Sequence, residues 1–173
     1  MKELQLTRGY VALVDDDDFE WLNSYKWYAK IYKNNNIYAA RTLYLGIENN
    51  KKKYHTQRIH HVILDIIDYK IIIDHKNGNS LDNRKENLRI ATKQQNMANS
   101  KINKNNTKGY KGISLYKNGR WRAKIYIFKK VKYLGFYENA IEAAQAYNDA
   151  AVKYFGEFAR LNVISNRDKS MFL

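Results

Sequence analysis

Residues 71–99 read IIIDHKNGNSLDNRKENLRIATKQQNMAN, and the organisation of the chain follows from this stretch. Ile71, Ile72 and Ile73 favour a strand, and they lead directly into a carboxylate and an imidazole, Asp74 and His75. Asn77, Gly78 and Asn79 favour a turn. A second strand-like segment, Leu88, Arg89 and Ile90, follows Asn87. Thr92 then stands three residues before Gln95, a capping-box pattern that predicts the start of a helix. The implied unit is strand, long loop, strand, helix, an arrangement able to bring Asp74, His75 and Asn96 together. Asn79, Asp82 and Asn83 read as turn formers that bond to their own backbone.

Asp74 and Asn96 offer hard oxygen ligands, which suit Mg²⁺, Mn²⁺ or Ca²⁺ rather than a soft metal. His75, with an ordinary pKa of about 6.5, can take a proton from water near neutrality. A metal facing a phosphate and a base making the nucleophile are the parts that phosphodiester hydrolysis requires. At these residues the chain resembles the HNH nucleases, particularly phage and intron-encoded homing endonucleases. Asp74 and His75 match the family's first-strand pair, Asn87 in Asn-Leu-Arg its central Asn, and Asn96 its final His or Asn. The resemblance implies that Asp74 and Asn96 hold one divalent metal, Mg²⁺ first and Mn²⁺ as the alternative. It makes His75 the general base, Asn87 the residue that orients it, and His60 a neighbour of the substrate phosphate.

The chain's 173 residues, 45% hydrophobic, allow one large domain or two small ones. Cysteine is absent, which excludes disulfides and Cys-based zinc sites. Neither a membrane span nor a signal-peptide core is apparent, so the expectation is no membrane and a cytoplasmic protein of a bacterial or phage-infected cell. The net charge of +14 points to a polyanionic partner. Between residues 101 and 137 there are 11 Lys or Arg and no Asp or Glu, which marks a nucleic-acid surface.

In chain order, Leu4, Leu6, Val11 and Leu13 predict two short strands joined at Arg8-Gly9. Asp15, Asp16, Asp17 and Asp18 precede a helical spacing of Phe19, Trp21, Leu22 and Tyr25, and read as first-turn carboxylates facing the helix dipole. Residues 27–32 and 37–41 predict a hairpin turning through Asn34, Asn35 and Asn36. Lys51, Lys52 and Lys53 are expected in another turn, and Trp21, Trp27 and Tyr38 in the core. A helix is expected over residues 57–65, carrying His60, with His55 and His61 as surface or phosphate-contacting residues. Residues 101–108 lose hydrophobic periodicity and read as a basic linker.

Beyond it, residues 110–116, 120–128 and 131–136 predict three strands, and 138–155 an alanine-rich helix with Gly156 at its end. Trp121, Ala123, Ile125 and Ile127 alternate with Arg120, Arg122, Lys124 and Tyr126, so one sheet face is apolar and the other basic. Residues 108–162 resemble the AP-two/ERF DNA-binding domain, through Tyr110-Lys111-Gly112-Ile113, Gly119-Arg120-Trp121, Tyr133-Leu134-Gly135-Phe136, Glu142-Ala143-Ala144 and Ala159-Arg160-Leu161-Asn162. The resemblance places DNA contacts at Lys111, Ser114, Tyr116, Asn118, Arg120, Lys124, Tyr126 and Tyr133, and the basic face adds Arg122. Several arginines of the family stand here as Ser114, Tyr116 and Tyr126.

The expected fold class is α+β: an N-terminal β-rich region leading into a ββα-metal nuclease unit, then a three-stranded antiparallel sheet packed on one helix. The expected domains are 1–100, a linker over 101–108, and 109–165. The expected function is a metal-dependent DNA endonuclease of homing type acting on double-stranded DNA, as a monomer or as a dimer on DNA. The alternative is a DNA-binding regulator with an inert HNH unit.

Overall fold

The computed structural model describes residues 1–33, 35–103, 106, 109–117 and 119–164. Asn118, Asn34 of the expected turn, four positions of the expected linker (104, 105, 107 and 108) and residue 165 lie outside them. The fold is α+β, and the strand pairs in its sheets are antiparallel. The chain divides into two compact units, Met1–Thr92 and Lys93–Leu173. No helix among the described residues is long and apolar enough to cross a membrane.

The first unit opens with β1 (Lys2–Gln5) and β2 (Val11–Val14), whose alternation sends Leu4, Ala12 and Val14 into the core. Next come α1 (Asp16–Asn23) and a three-stranded sheet of β3 (Tyr28–Ile31), β4 (Ile37–Glu48) and β5 (Lys51–Arg58), with β4 central. The helix α2 (Ile59–Ile63) follows, then the hairpin of β6 (Ile72–His75) and β7 (Leu88–Ala91). Leu22, Trp27, Ile59, Ile63, Ile73 and Leu88 join the strand residues in one core.

Three local expectations change. Lys51, Lys52 and Lys53 are not in a turn but begin β5; the turn is Asn49-Asn50, both at positive φ (50° and 59°), a conformation asparagine tolerates in a two-residue hairpin loop. Gln57 and Arg58 end that strand, so the helix carrying His60 begins only at Ile59. Trp21 is 38% exposed, its indole N–H donating to Asp18 Oδ1 at 3.3 Å, whereas Trp27 is buried and donates to the Leu22 carbonyl at 2.8 Å.

The acidic run also works differently from expectation. Asp15 sits at the helix N-cap, but its side chain makes no bond to its own first turn. Its Oδ2 accepts instead from the Lys85 backbone N–H at 2.8 Å, and buried Asp18 pairs with the Lys85 ammonium at 2.8 Å. A long-range partner has replaced the local one.

The second unit begins with α3 (Lys93–Ala98). Then come β8 (Ile113–Leu115), β9 (Trp121–Ile127) and β10 (Lys130–Tyr137), with β9 central, and the long helix α4 (Ala140–Phe155). Asn139 caps α4, its side chain accepting from the Glu142 N–H at 2.9 Å while its amide donates to Glu142 Oε1 at 3.0 Å. Ala143, Ala144, Ala150 and Ala151 are buried, and Ala98 of α3 joins Ile125, Tyr147 and Phe155 in the core. After α4 the chain returns through Asn162, whose backbone exchanges two hydrogen bonds with the buried Asn148 amide (2.7 and 3.0 Å). The Asn162 side chain in turn bonds the Lys111 N–H and carbonyl (2.6 and 3.0 Å).

Gly112 has φ +80°, and a Cβ there would lie 2.0 Å from the Tyr147 ring, so the helix packs where only a hydrogen fits. Gly112→Ala should therefore lower stability by roughly 2–3 kcal/mol, through overpacking and backbone strain together. Chemical denaturation of the full chain measures it.

Candidate active site

The hairpin of β6 and β7 closes around a loop whose register pairs Asp74 with Arg89 and His75 with Leu88. Asp74 is buried, and Arg89 donates to its Oδ2 through Nε (2.9 Å) and Nη2 (2.8 Å). Buried charge of this kind holds only when paired.

The loop is built on a second buried carboxylate, Asp82. It accepts from Asn77 Nδ2 at 2.8 Å and takes both arms of the Arg84 guanidinium, Nε on Oδ1 at 2.8 Å and Nη2 on Oδ2 at 2.7 Å. Asn87 ties the loop's neck: its Oδ1 accepts from the Asn77 N–H at 3.0 Å and its Nδ2 donates to the Asp82 carbonyl at 2.7 Å. From outside, Leu13 of β2 donates to the Leu81 carbonyl and accepts from the Asn83 N–H, each at 2.8 Å, and Ser80 Oγ donates to the Ile37 carbonyl at 2.5 Å.

Fully buried Asn83 faces His75. Its Nδ2 donates to the Leu81 carbonyl at 3.0 Å, which turns its Oδ1 to His75 Nε2 at 3.3 Å. The amide that meets the imidazole is thus Asn83, while the contacts of Asn87 are with the loop backbone. Against the other side of this pair lie His60, with ring centres 5.2 Å from His75, and Tyr38, at 5.7 Å from His60 and 6.2 Å from His75. Burial pulls the His60 imidazole down to about 2, and the neighbouring His75 adds to the shift. His60 is therefore neutral at working pH and can offer a hydrogen bond but no charge. Burial also lowers His75, opposed by its contact with Asn83 and by the Asp74 charge.

Asn83, Arg89 and Tyr38 are contributors that the sequence reading passed over. Arg89 had a signal, since a hairpin closing symmetrically around the loop sets residue 89 opposite residue 74. Asn83 was concealed among turn formers, a role it also fills.

Asp74 supplies hard carboxylate oxygen, and the buried His60 Nδ1 has no hydrogen-bond partner, so this cluster holds a polar atom turned to a group the protein does not supply. Both features fit a divalent cation with a phosphate beside it. Among the described residues no three His, Cys, Asp or Glu side chains form a metal-holding group, so any metal here relies on fewer carboxylates, amide oxygens, water and substrate. Asn96 is exposed on α3, in the second unit.

In that second unit, one face of the sheet gathers Ser114, Arg122, Lys124, Tyr126 and Tyr133 through the register Ser114 to Arg122, Lys124 to Tyr133 and Tyr126 to Val131. The Arg122 guanidinium lies 5.4 Å from the Tyr116 ring and 5.5 Å from that of Tyr133, and Arg120 pairs with Glu138 at 3.0 Å. Lys111 stands apart, its ammonium donating to the Ala98 and Ser100 carbonyls at 2.6 and 2.9 Å. Burial and the Arg160 charge pull it down to about 8.

A strand hairpin ending in Asp-His, with a pinned loop and buried imidazoles, defines a nuclease class of site, and comparison with known proteins agrees. The HNH endonuclease family model matches residues 67–98. An uncharacterised HNH endonuclease of Acanthamoeba polyphaga mimivirus is 30% identical over 161 residues, 91% of this chain and 77% of the viral one. The chain belongs to the HNH endonuclease family. That family generally uses a divalent metal. Over the C-terminal part, APETALA2-like protein 2 of Oryza sativa is 40% identical across 55 residues, 31% of this chain but 13% of the plant protein. An AP2-like ethylene-responsive transcription factor of Arabidopsis thaliana is 41% identical across 56 residues, 32% of this chain and 12% of its own length. The C-terminal part is accordingly an AP-two-type domain. No solved structure matches the chain.

The Arg84 guanidinium holds the Asp82 carboxyl below the usual carboxylate range. A carboxylate depressed by folding adds stability above its unfolded pKa of about 3.9 and loses it as pH falls through the folded value. Asp82→Asn should cost roughly 2 kcal/mol at pH 7 and flatten the loss of stability between pH 5 and 2. Denaturant midpoints across that range test this.

Proposed function

We propose that this protein is a metal-dependent DNA endonuclease of homing type, cutting a phosphodiester bond at a site its C-terminal domain helps to choose. The observation that carries the reading is the buried Asp74-His75 pair at the end of β6, with neutral His60 in ring contact with His75, inside the segment that matches the family.

In this reading His75 takes a proton from the attacking water, and Asn83 keeps its ring in place. Asn87 acts on the base indirectly, by closing the neck of the loop. His60, uncharged, donates a ring N–H to a substrate phosphate oxygen. A divalent cation, Mg²⁺ before Mn²⁺, held by Asp74 with Asn96 as the ligand the resemblance supplies, would lend positive charge to the scissile phosphate. The products would carry 5′-phosphate and 3′-hydroxyl ends. Residues 1–100 would hold the catalytic part and 109–165 the reading module, whose Ser114, Arg122, Lys124, Tyr126 and Tyr133 face would meet double-stranded DNA in the major groove. One site per chain suits nicking by a monomer, with a dimer or two events for both strands, in the cytoplasm of a bacterial or infected cell.

One observation favours the rival reading, a DNA-binding regulator with an inert HNH unit: Arg89 already places a cation on Asp74 Oδ2. The two separate on a purified-protein assay with DNA of the chain's own coding locus and Mg²⁺ or Mn²⁺. A discrete nick suppressed by EDTA is expected, and its absence with both metals selects the regulator. His75→Ala and Asp74→Ala should lower cleavage at least a hundredfold while DNA binding in Ca²⁺ persists; Asn96→Ala tests its ligand role in the same way. Full cleavage by His75→Ala or Asp74→Ala would refute the assignment.

The basic sheet face gives its own test. Arg122→Gln with Lys124→Gln should weaken DNA binding and reduce the slope of log affinity against log salt by about 2. An unchanged slope would place the phosphate contacts elsewhere.

A further inference from the structure

A cavity of about 160 Å³ opens in the first unit between β3, β5 and α2. Lys30, Tyr32, Thr56, Arg58, His61 and Tyr69 line it together with His55, and among the described residues no carboxylate does. Neither Lys30 nor Arg58 has an ion-pair partner among the described residues, although two cations on one cavity repel each other unless an anion lies between them. Their bonds are to neutral oxygens: the Lys30 ammonium reaches Thr56 Oγ1 at 3.3 Å, and Arg58 Nη2 reaches the Tyr32 hydroxyl at 3.1 Å.

The imidazoles add a second, independent observation. His55 Nε2 and His61 Nδ1 are both buried without a hydrogen-bond partner. Buried ring nitrogens left unmet are uncommon, and both of these belong to residues that line the cavity. His61 is held in place by its other nitrogen, with Nε2 on the Ile71 carbonyl at 3.2 Å, and Tyr69 lies tilted against the His55 and His61 rings, centres 4.3 and 5.1 Å away. The space admits a tetrahedral oxyanion.

Position says which oxyanion. The Arg58 guanidinium lies 5.3 Å from the Tyr38 ring, and Tyr38 touches His60 and lies beside His75. The cavity is therefore one aromatic ring removed from the candidate base, close enough for a single strand to run past both. We propose that this cavity binds a backbone phosphate flanking the scissile one, with Lys30 and Arg58 as the charged contacts and the His55 and His61 rings closing around its oxygens. This rests on the nuclease reading for the strand's identity, but the pocket is tested by binding alone.

The experiment uses the full chain in Ca²⁺, so that cleavage plays no part, bound to a duplex of its coding locus with randomly ethylated phosphates. Bound duplex should be depleted of ethyl groups at a phosphate that Lys30→Met and Arg58→Met no longer protect, each variant binding unmodified DNA on the order of tenfold more weakly. Thermal melting establishes that the variants fold, and Thr56→Val with Lys30→Arg replaces any that does not. An ethylation pattern identical to wild type in folded variants overturns the proposal. Titration with inorganic phosphate is the second arm: His55 and His61 ring signals that shift with phosphate but not with duplex would assign the cavity to free phosphate and overturn the backbone assignment. A variant-sensitive phosphate in a protein that never nicks DNA would sink the nuclease reading and leave the pocket standing.

Discussion

The carboxylate of Asp82 is the constraint on which the first unit depends. A loop this rich in asparagine has many ways to satisfy its backbone locally, and a short strand hairpin around it would be marginal alone. Asp82 removes that freedom by binding Asn77 at one end of the loop and Arg84 near the other. The Asn87 amide then seals the neck, and the Asn83 side chain is delivered beneath His75. Because the acid is buried, each of its bonds is worth more than it would be in water, and its loss would leave several donors unmet.

A chain carrying +14 charge must store its cations without neutralising them. It does so on aromatic faces. The Arg41 guanidinium lies 4.0 Å from the Tyr25 ring and 5.3 Å from that of Trp27, Arg58 lies over Tyr32 and Tyr38, and Arg122 over Tyr116 and Tyr133. Stacking orients a guanidinium while keeping its full charge, so both units keep ordered positive charge for a phosphate backbone. Carboxylates are used where charge is to be cancelled, as in Asp74 with Arg89 and Asp18 with Lys85. The histidines follow a third rule, burial, which makes His60 a neutral group.

What could be read from the sequence was whatever is coded locally. The alternation from Trp121 to Ile127 gave β9 and its two faces, Gly156 marks the end of α4, and the isoleucine run with Asn-Leu-Arg gave the β6 and β7 hairpin. What could not be read depends on partners far along the chain. Asp15 looked like a helix cap because its reach to Lys85 spans 70 positions. Asn87 looked like the residue that orients the imidazole because only coordinates separate a bond to His75 from one to the loop backbone. Lys111 looked like a DNA contact because nothing local reveals that its ammonium is spent on carbonyls at 98 and 100. Gly112 stands in a recognisable motif, and its reason, the Tyr147 ring lying against it, comes from α4.

The bonds from Leu13, Asp15 and Asp18 into the loop at Leu81, Asn83 and Lys85 have an implication for where this enzyme can be divided. The family match begins at residue 67, yet the scaffold that keeps its central loop in shape starts more than fifty residues earlier. Excising residues 67–98 as a portable catalytic cassette would strip away β2 and α1 and leave the loop's outward-facing N–H and C=O groups to water. The inheritable part is therefore larger than the recognisable part, and relatives that keep the Asp-His hairpin on a different amino-terminal region must supply an equivalent brace.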